Sequence, residues 1–235
     1  MSRRRQRGPV ILLVVVVLLV AGVIVADRVA RTKTNEQVAA QLQTQLGLAE
    51  RPTVDIIGFP FLTQVAANRF NRVNVEAAGV RTGGDRPLTV RALHLQLGEV
   101  TTADNYRRIT AGSLQGSAEV GWASVQEAAG VPVTPLPDGR VELTVSLSVL
   151  GQRAPVTLRG RPVLDVNEQS LRVREVQAEL AGYQLPAAVV QRMVDQAVPS
   201  VPLNLPMGIR AESLQLTGEG PMLGLAGRNV VLTGG

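Results

Sequence analysis

The sequence predicts an α+β protein in which an N-terminal transmembrane helix is followed by a long curved antiparallel sheet packed with two or three helices. Three observations predict this class. Residues 10–26 are an uninterrupted apolar run behind four arginines. Residues 140–150 alternate strictly between apolar and polar side chains, as half-buried strands do. Hairpin-length turn sequences separate most other periodic segments, which favours antiparallel pairing.

The apolar run at residues 10–26 contains no charged or hydrogen-bonding side chain. As a helix it would span about 26 Å, slightly short of the ~30 Å hydrocarbon core, and the flanking Arg7 and Arg28 can reach the headgroups. The competing interpretations are a cleaved signal peptide, for which residues 24–26 make a poor cleavage site, and a buried core helix. We expect residues 1–9 to be a basic cytoplasmic tail and residues 10–26 an anchor.

It follows that residues 27–235 are expected to form one extracytoplasmic domain of a single-pass cell-membrane protein. The formal net charge of +5 comes mostly from the arginines of the tail, and the body is almost neutral. This balance argues against a nucleic-acid partner. The chain has no Cys and one His, which excludes disulfides, thiolate metal sites and two-histidine metal motifs. We therefore expect no metal and no cofactor.

The first element of the body is predicted as a helix over residues 34–47. Thr34 and Gln37 have the spacing of a capping box, and Gly47 is suited to end the helix. Shorter helices are predicted at residues 122–129 and 185–198.

Strands are predicted from alternation of apolar and polar residues. Val73, Val75 and Ala77 alternate with polar neighbours, and a change of phase at Ala92 and Leu93 predicts a β-bulge. In the strand at 140–150, Leu143, Val145 and Leu147 are expected in the core and Thr144, Ser146 and Ser148 on the opposite face. Further strands are predicted at residues 54–57, 156–159, 163–166, 171–180, 209–217 and 230–233.

No catalytic constellation emerges from the sequence. There is no nucleophile-elbow motif, and His94 lies between Leu93 and Leu95, on the polar face of a strand, with no partner suggested for general base work. The glycine pairs lack the lysine of a phosphate-binding loop. We expect the protein not to be an enzyme. The remaining feature is the apolar faces of the predicted strands and helices. These faces either pack together as a closed core or stay partly open as a groove for an apolar ligand.

One stretch is more specific than the rest. The run at residues 54–64, with its Gly-Phe-Pro-Phe-Leu-Thr-Gln segment, and the alternating strand that follows Phe70 resemble the opening of the LmeA-type phospholipid-binding proteins of actinobacterial envelopes. The resemblance continues through residues 116–120 into Trp122, then residues 138–141, 203–208 and 227–230, in the family's order and rough spacing.

This resemblance implies a fold, a ligand and a location. It implies an anchored or exported envelope protein that binds phospholipid, with a link to lipid or lipoglycan handling, and it suggests a likeness to tubular lipid-binding folds. The family has no catalytic motif to transfer, so no residue acquires an enzymatic role. Our hypothesis is a non-catalytic protein that holds phospholipid acyl chains in an apolar groove. The alternative is an anchored structural or protein-interaction module with a closed core and no ligand.

The candidate lipid-binding residues come from the motif and from three apolar stripes. Phe59 and Phe61 flank Pro60, whose missing N–H makes a central strand improbable there, so both rings are expected on one side of an extended edge. There they either plug the end of the core or line a lipid entrance. The predicted lipid-binding residues are Phe59, Pro60, Phe61, Leu62, Val73, Val75, Leu93, Leu95, Val189 and Met193.

Overall fold

The protein, seen in a computed structural model, has an α+β architecture of two antiparallel sheets and a few helices. The described residues are 7–82, 88–103, 108–149, 152–180, 183–184, 190, 201–203, 205 and 208–233. Within them the helices are α1 (Arg7–Leu46), α2 (Phe61–Ala66) and α3 (Trp122–Ala129).

The first sheet has six strands in the order β1-β2-β3-β4-β12-β11, all pairing antiparallel. Several of its strands are much longer than the usual five or six residues. Their bounds are β1 (Thr53–Ile57), β2 (Arg69–Arg81), β3 (Thr89–Ala103), β4 (Arg108–Val120), β11 (Arg210–Leu216) and β12 (Pro221–Thr233).

The second sheet follows α3 along the chain and has the order β10-β8-β7-β6-β5, with β9 paired to β8. Its strands are β5 (Val133–Pro135), β6 (Val141–Val149), β7 (Gln152–Asp165), β8 (Ser170–Leu180), β9 (Tyr183–Gln184) and β10 (Val201–Pro202). The prediction of one long sheet is therefore wrong in this respect. β5 does not continue the pairing of β4 but pairs with β6, because α3 carries the chain off the end of β4.

The two sheets meet where the turn between β7 and β8 reaches β11. The side-chain amide of Gln169 donates to the carbonyl of Ala211 (3.0 Å) and accepts from the Ala211 N–H (2.7 Å). Gln169 thus satisfies both backbone groups of Ala211 at the edge of β11, as a further strand would. Leu164 and Leu171 also pack against the core of the first sheet.

Helix α1 runs without interruption from Arg7 to Leu46, so the prediction of a separate helix starting at Thr34 is wrong. The Thr34 hydroxyl donates back to the carbonyl of Ala30 (3.0 Å), as helix-interior threonines do, and makes no cap. The predicted end is confirmed, since Gly47 follows Leu46 with φ +60°. Asn35 contacts the open edge of β1, accepting from the Ile56 N–H (3.3 Å).

Helix α3 ends as predicted, with Gly130 in the left-handed region. The predicted bulge is also confirmed, since the pairing of β3 with β4 shifts register between Val90 and Ala92. Another shift, between Arg159 and Arg161, lies within β7, which joins two predicted strands into one. Such bulges increase local twist and bend long strands.

The alternation in β6 supports a first stability prediction. Leu143 packs against the buried cluster of the second sheet, while Thr144 is exposed; the side chains of Val145, Ser146, Leu147 and Ser148 lie outside the described residues. Leu143→Asp places a carboxylate among apolar atoms and is expected to cost several kcal/mol, whereas Thr144→Asp is expected to cost about 0.5 kcal/mol. Thermal unfolding of both variants checks this, and equal shifts would contradict the assigned faces.

Candidate lipid-binding site

The apolar face of the first sheet brings together four of the predicted site residues. Val75 lies between Val54 of β1 and Leu95 of β3 in the register of the sheet. Val73 lies between Ile56 and Leu97, and Ala77 pairs with Leu93. Because residues two apart on a strand share a face, Val73, Val75, Leu93 and Leu95 form one continuous surface. We call these four residues the apolar patch.

The apolar patch differs from the neighbouring leucines of this face in its accessibility. Leu97, Leu114 and Leu225 are buried in the core of the first sheet. The four patch residues pack against that core but are only partly buried. Buried and partly buried side chains therefore occur within the same rows of this face, since Val73 lies beside the buried Leu97 and Leu95 shares its row with the buried Leu225. Partly buried aliphatic side chains beside a buried core are a lining that apolar ligand sites use.

Gly116 on β4 gives the patch room at its inner side. It pairs with both Leu95 and Leu225, and a Cβ placed there would lie 2.8 Å from the Leu95 Cδ2 and 2.2 Å from the His94 carbonyl oxygen. The Leu95 side chain therefore lies over Gly116, in the space that a side chain at position 116 would need. A side chain at position 116 would lift Leu95 away from the sheet.

The motif at residues 58–64 does not form the extended edge that the sequence predicts. Phe61 is the first residue of α2 and is 1% exposed, with its ring centroid 6.4 Å from that of Phe70. Phe59 is 66% exposed and Leu62 is 44% exposed, and Pro60 is also exposed. The two phenylalanines thus have opposite environments: Phe61 plugs the core, and Phe59 faces outward.

A buried carboxylate explains why the motif turns into a helix. Asp27 of α1 is 3% exposed, and its Oδ1 accepts from the Leu62 N–H at 2.8 Å. No side chain of α2 itself caps this end. Asp27 therefore satisfies an N–H at the start of α2 from another element, which favours a helix there.

Sequence reasoning treated Asp27 only as a flank of the apolar run. The one signal in the sequence is the position of Asp27 directly after that run. Its role becomes visible only in the fold, where Asp27 contacts the start of α2.

Gln64 fixes the other end of the motif. It is 8% exposed, and its Oε1 accepts from the Asn71 N–H (3.0 Å) at the start of β2. A Cβ at Gly58 would lie 2.4 Å from the Gln64 Nε2, and Gly58 has φ +139°. Position 58 therefore requires glycine for both space and backbone conformation.

Val189 and Met193 lie outside the described residues. Their neighbour Val190 is helical and buried, and it packs against Val156, Leu158 and Ala178 of the second sheet. This places Val190 in a core different from that of the apolar patch.

Apart from Asp27, the charged side chains whose burial is described are not buried. His94 is exposed, as predicted. The hydrogen bond from Arg91 to Glu119 raises the pKa of the arginine. The backbone N–H groups of Glu168 and Asn167 lower the pKa of Asp165, which lines a surface cleft of about 160 Å³ with Arg172 and Arg174. Among the described residues no acidic or histidine cluster could hold a metal ion.

Side chains of α1 are described from Val16 onward. Nowhere in the described part of the chain does a helix combine the length and the apolar character needed to cross a bilayer.

Comparison with known proteins gives the family. The chain is 27% identical to the uncharacterized proteins Rv0479c and MT0497 of Mycobacterium tuberculosis and Mb0489c of Mycobacterium bovis; each alignment covers 99% of this chain and 68% of the relative. No solved structure matches. The model of the LmeA-like phospholipid-binding family matches residues 25–220. Since this match covers most of the body, including the motif and the apolar patch, the chain belongs to the LmeA-like phospholipid-binding family.

Proposed function

We propose that the protein is an anchored envelope protein that holds phospholipid acyl chains against the apolar patch without catalysing a reaction. The observation that carries the proposal is the partial accessibility of Val73, Val75, Leu93 and Leu95 beside a sealed core. Membership of a phospholipid-binding family gives the ligand class. Storage, presentation or transfer of lipid, including supply to lipoglycan assembly, are roles that such a protein can fill.

The energetics of acyl-chain burial are sufficient for this role. Each methylene that leaves water contributes about 0.8 kcal/mol, so six methylenes over the apolar patch contribute about 5 kcal/mol. Because this is not a Coulombic interaction, lipid retention is expected to depend only weakly on ionic strength.

Native mass spectrometry of the detergent-solubilised full chain tests the proposal. We expect one phospholipid to remain bound under activation that strips detergent, at both low and high ammonium acetate. A chain that carries no lipid, and acquires none after incubation with phosphatidylglycerol vesicles, would favour the closed-core interaction module instead.

We further propose that residues 10–26 anchor the chain in the membrane with the body outside the cytoplasm. Within the described part of this run, large apolar side chains are half or more exposed on every side of α1, including Leu18, Leu19, Val23 and Val25. Water is a poor solvent for such a surface, and a bilayer is a good one. Four arginines before the run, against Arg28, Arg31 and Lys33 after it, give a narrow excess of positive charge that favours a cytoplasmic N-terminus.

This orientation predicts the outcome of a reporter fusion. A reporter that is active only outside the cytoplasm, fused after Gly235, is expected to be active, and a reporter active only in the cytoplasm is expected to be silent. The reverse pattern would contradict both the orientation and an envelope role.

A further inference from the structure

We propose that Phe59 and Leu62 form an apolar tip that enters the extracytoplasmic leaflet of the bilayer that anchors the chain, so that phospholipid passes from this bilayer to the apolar patch. The proposal rests on the proposed function, because it takes residues 10–26 as the anchor and phospholipid as the ligand. It adds the surface through which the lipid is collected.

The exposure of the apolar tip is the first observation. Phe59 and Leu62 are 66% and 44% exposed, while Phe61 between them is 1% exposed. α2 therefore faces the core with one aromatic ring and presents two large apolar side chains outward. Isolated exposed apolar residues are common, but a Phe and a Leu held together on the turn that begins a helix resemble the side chains that peripheral proteins place in a membrane interface.

The position of the apolar tip relative to the anchor is the second observation. Asp27 is the first residue after the apolar run, and its carboxylate accepts from the N–H of Leu62 itself at 2.8 Å. Since a helix rises ~1.5 Å per residue, Leu62 is tied to α1 within a few ångströms of the point where the hydrocarbon core would end. The tip is therefore at the height of the lipid headgroups.

The continuity of α1 holds the body at this height. α1 extends through Asp27 to Leu46 without a break, and Ala30 packs against the core of the first sheet. Further along, Asn35 accepts from the Ile56 N–H of β1. The body is thus joined to the anchor by a packed helix instead of a flexible linker, and the apolar tip cannot move far from the membrane surface.

The basic residues that follow the apolar run on α1 indicate which surface the apolar tip contacts. Arg28, Arg31 and Lys33 follow the apolar run within two helical turns, and the one acidic side chain among residues 27–35, Asp27, is buried against α2. Arg28 and Arg31 lie at headgroup height and Lys33 lies just beyond it, and these cations favour a bilayer that contains anionic phospholipid. We therefore commit to a lipid surface as the partner of the apolar tip.

Site-directed labelling tests this placement, because the chain has no native Cys. Phe59→Cys is labelled with an environment-sensitive fluorophore in the full chain, which is then reconstituted in vesicles of phosphatidylcholine and phosphatidylglycerol.

The matched control is Ala129→Cys, which is also exposed on a short helix. α3 lies at the other end of β3, where Ser124 accepts from the Thr89 N–H (2.7 Å), whereas α2 adjoins the end near Thr102. At ~3.3 Å per residue these ends are about 40 Å apart.

We expect the label at position 59 to show a blue-shifted emission that is several-fold brighter than at position 129, and to be quenched by lipids brominated near the headgroup. We also expect Phe59→Ser to slow lipid loading several-fold without changing the thermal midpoint. A label at position 59 as exposed to water as the control would overturn the proposal. Shielding without quenching by brominated lipid would also overturn it, because a protein surface would then cover the residue.

Native mass spectrometry of the same samples separates this proposal from the proposed function. Bound phospholipid together with a water-exposed label at position 59 means that the apolar tip is wrong and the proposed function stands. A lipid-free chain with a membrane-embedded label means that the tip is right and the lipid-binding function is wrong.

Discussion

Val75→Trp is expected to reduce the phospholipid held on the first sheet at least tenfold while the protein stays folded. Val75 is at the centre of the apolar patch, between Val54 and Leu95 in the register. An indole there occupies the space that an acyl chain would use. Overpacking a partly accessible site costs about 1–3 kcal/mol, which a domain of this size can tolerate. Native mass spectrometry measures the lipid, and circular dichroism measures the fold.

The matched control for this variant is Glu76→Trp. Glu76 is the next residue on the same strand, is exposed and faces the other side of β2. It is expected to leave bound lipid unchanged. Equal lipid loss in the two variants would mean that an indole on either face of β2 perturbs the strand, and that the loss does not report an occupied surface. Full retention of lipid in Val75→Trp would mean that the apolar patch does not bind lipid.

Phe61→Ala is expected to cause a large loss of stability. The ring is 1% exposed and packs against Phe70 at the end of the core. Truncating a buried phenylalanine costs about 3–5 kcal/mol through lost burial and the cavity left behind. The free energy of unfolding, obtained from denaturant titration of the full chain, checks this value.

The chain supplies its own control two residues earlier. Phe59→Ala removes the same ring from a position that is 66% exposed, so it is expected to cost about 0.5 kcal/mol or less. If Phe59→Ala and Phe61→Ala destabilised the protein equally, the opposite environments of the two rings would be wrong.

Local patterns predicted the elements whose structure depends on local residues. The alternation around Val73 and Leu95 gave the correct strands and faces, the change of phase at Ala92 gave the bulge, and Gly130 gave the end of α3. In each case the deciding property, side-chain period or backbone conformation, belongs to the segment itself.

The features that the sequence did not predict depend on contacts between distant residues. α2 has no cap of its own and depends on Asp27, which is 35 positions from Leu62 along the chain. The division into two sheets depends on β5 pairing with β6, and the junction depends on the side chain of Gln169 pairing with Ala211. Neither composition nor periodicity carries information about such pairings, so the motif at residues 58–64 was predicted as an extended edge.

Mapping the segments of the chain that contact phospholipid tests the central claim most directly. The full chain is reconstituted in vesicles that contain a phospholipid with a photoactivatable group in its acyl chain, irradiated and digested with trypsin. Cleavage after Arg72, Arg81 and Arg91 separates the two halves of the apolar patch into residues 73–81 and 92–107. We expect lipid adducts on both of these peptides and on the apolar run, and none on residues 141–153 of the second sheet. Adducts confined to the apolar run would contradict the account, because lipid would then contact the anchor and never reach the sheet.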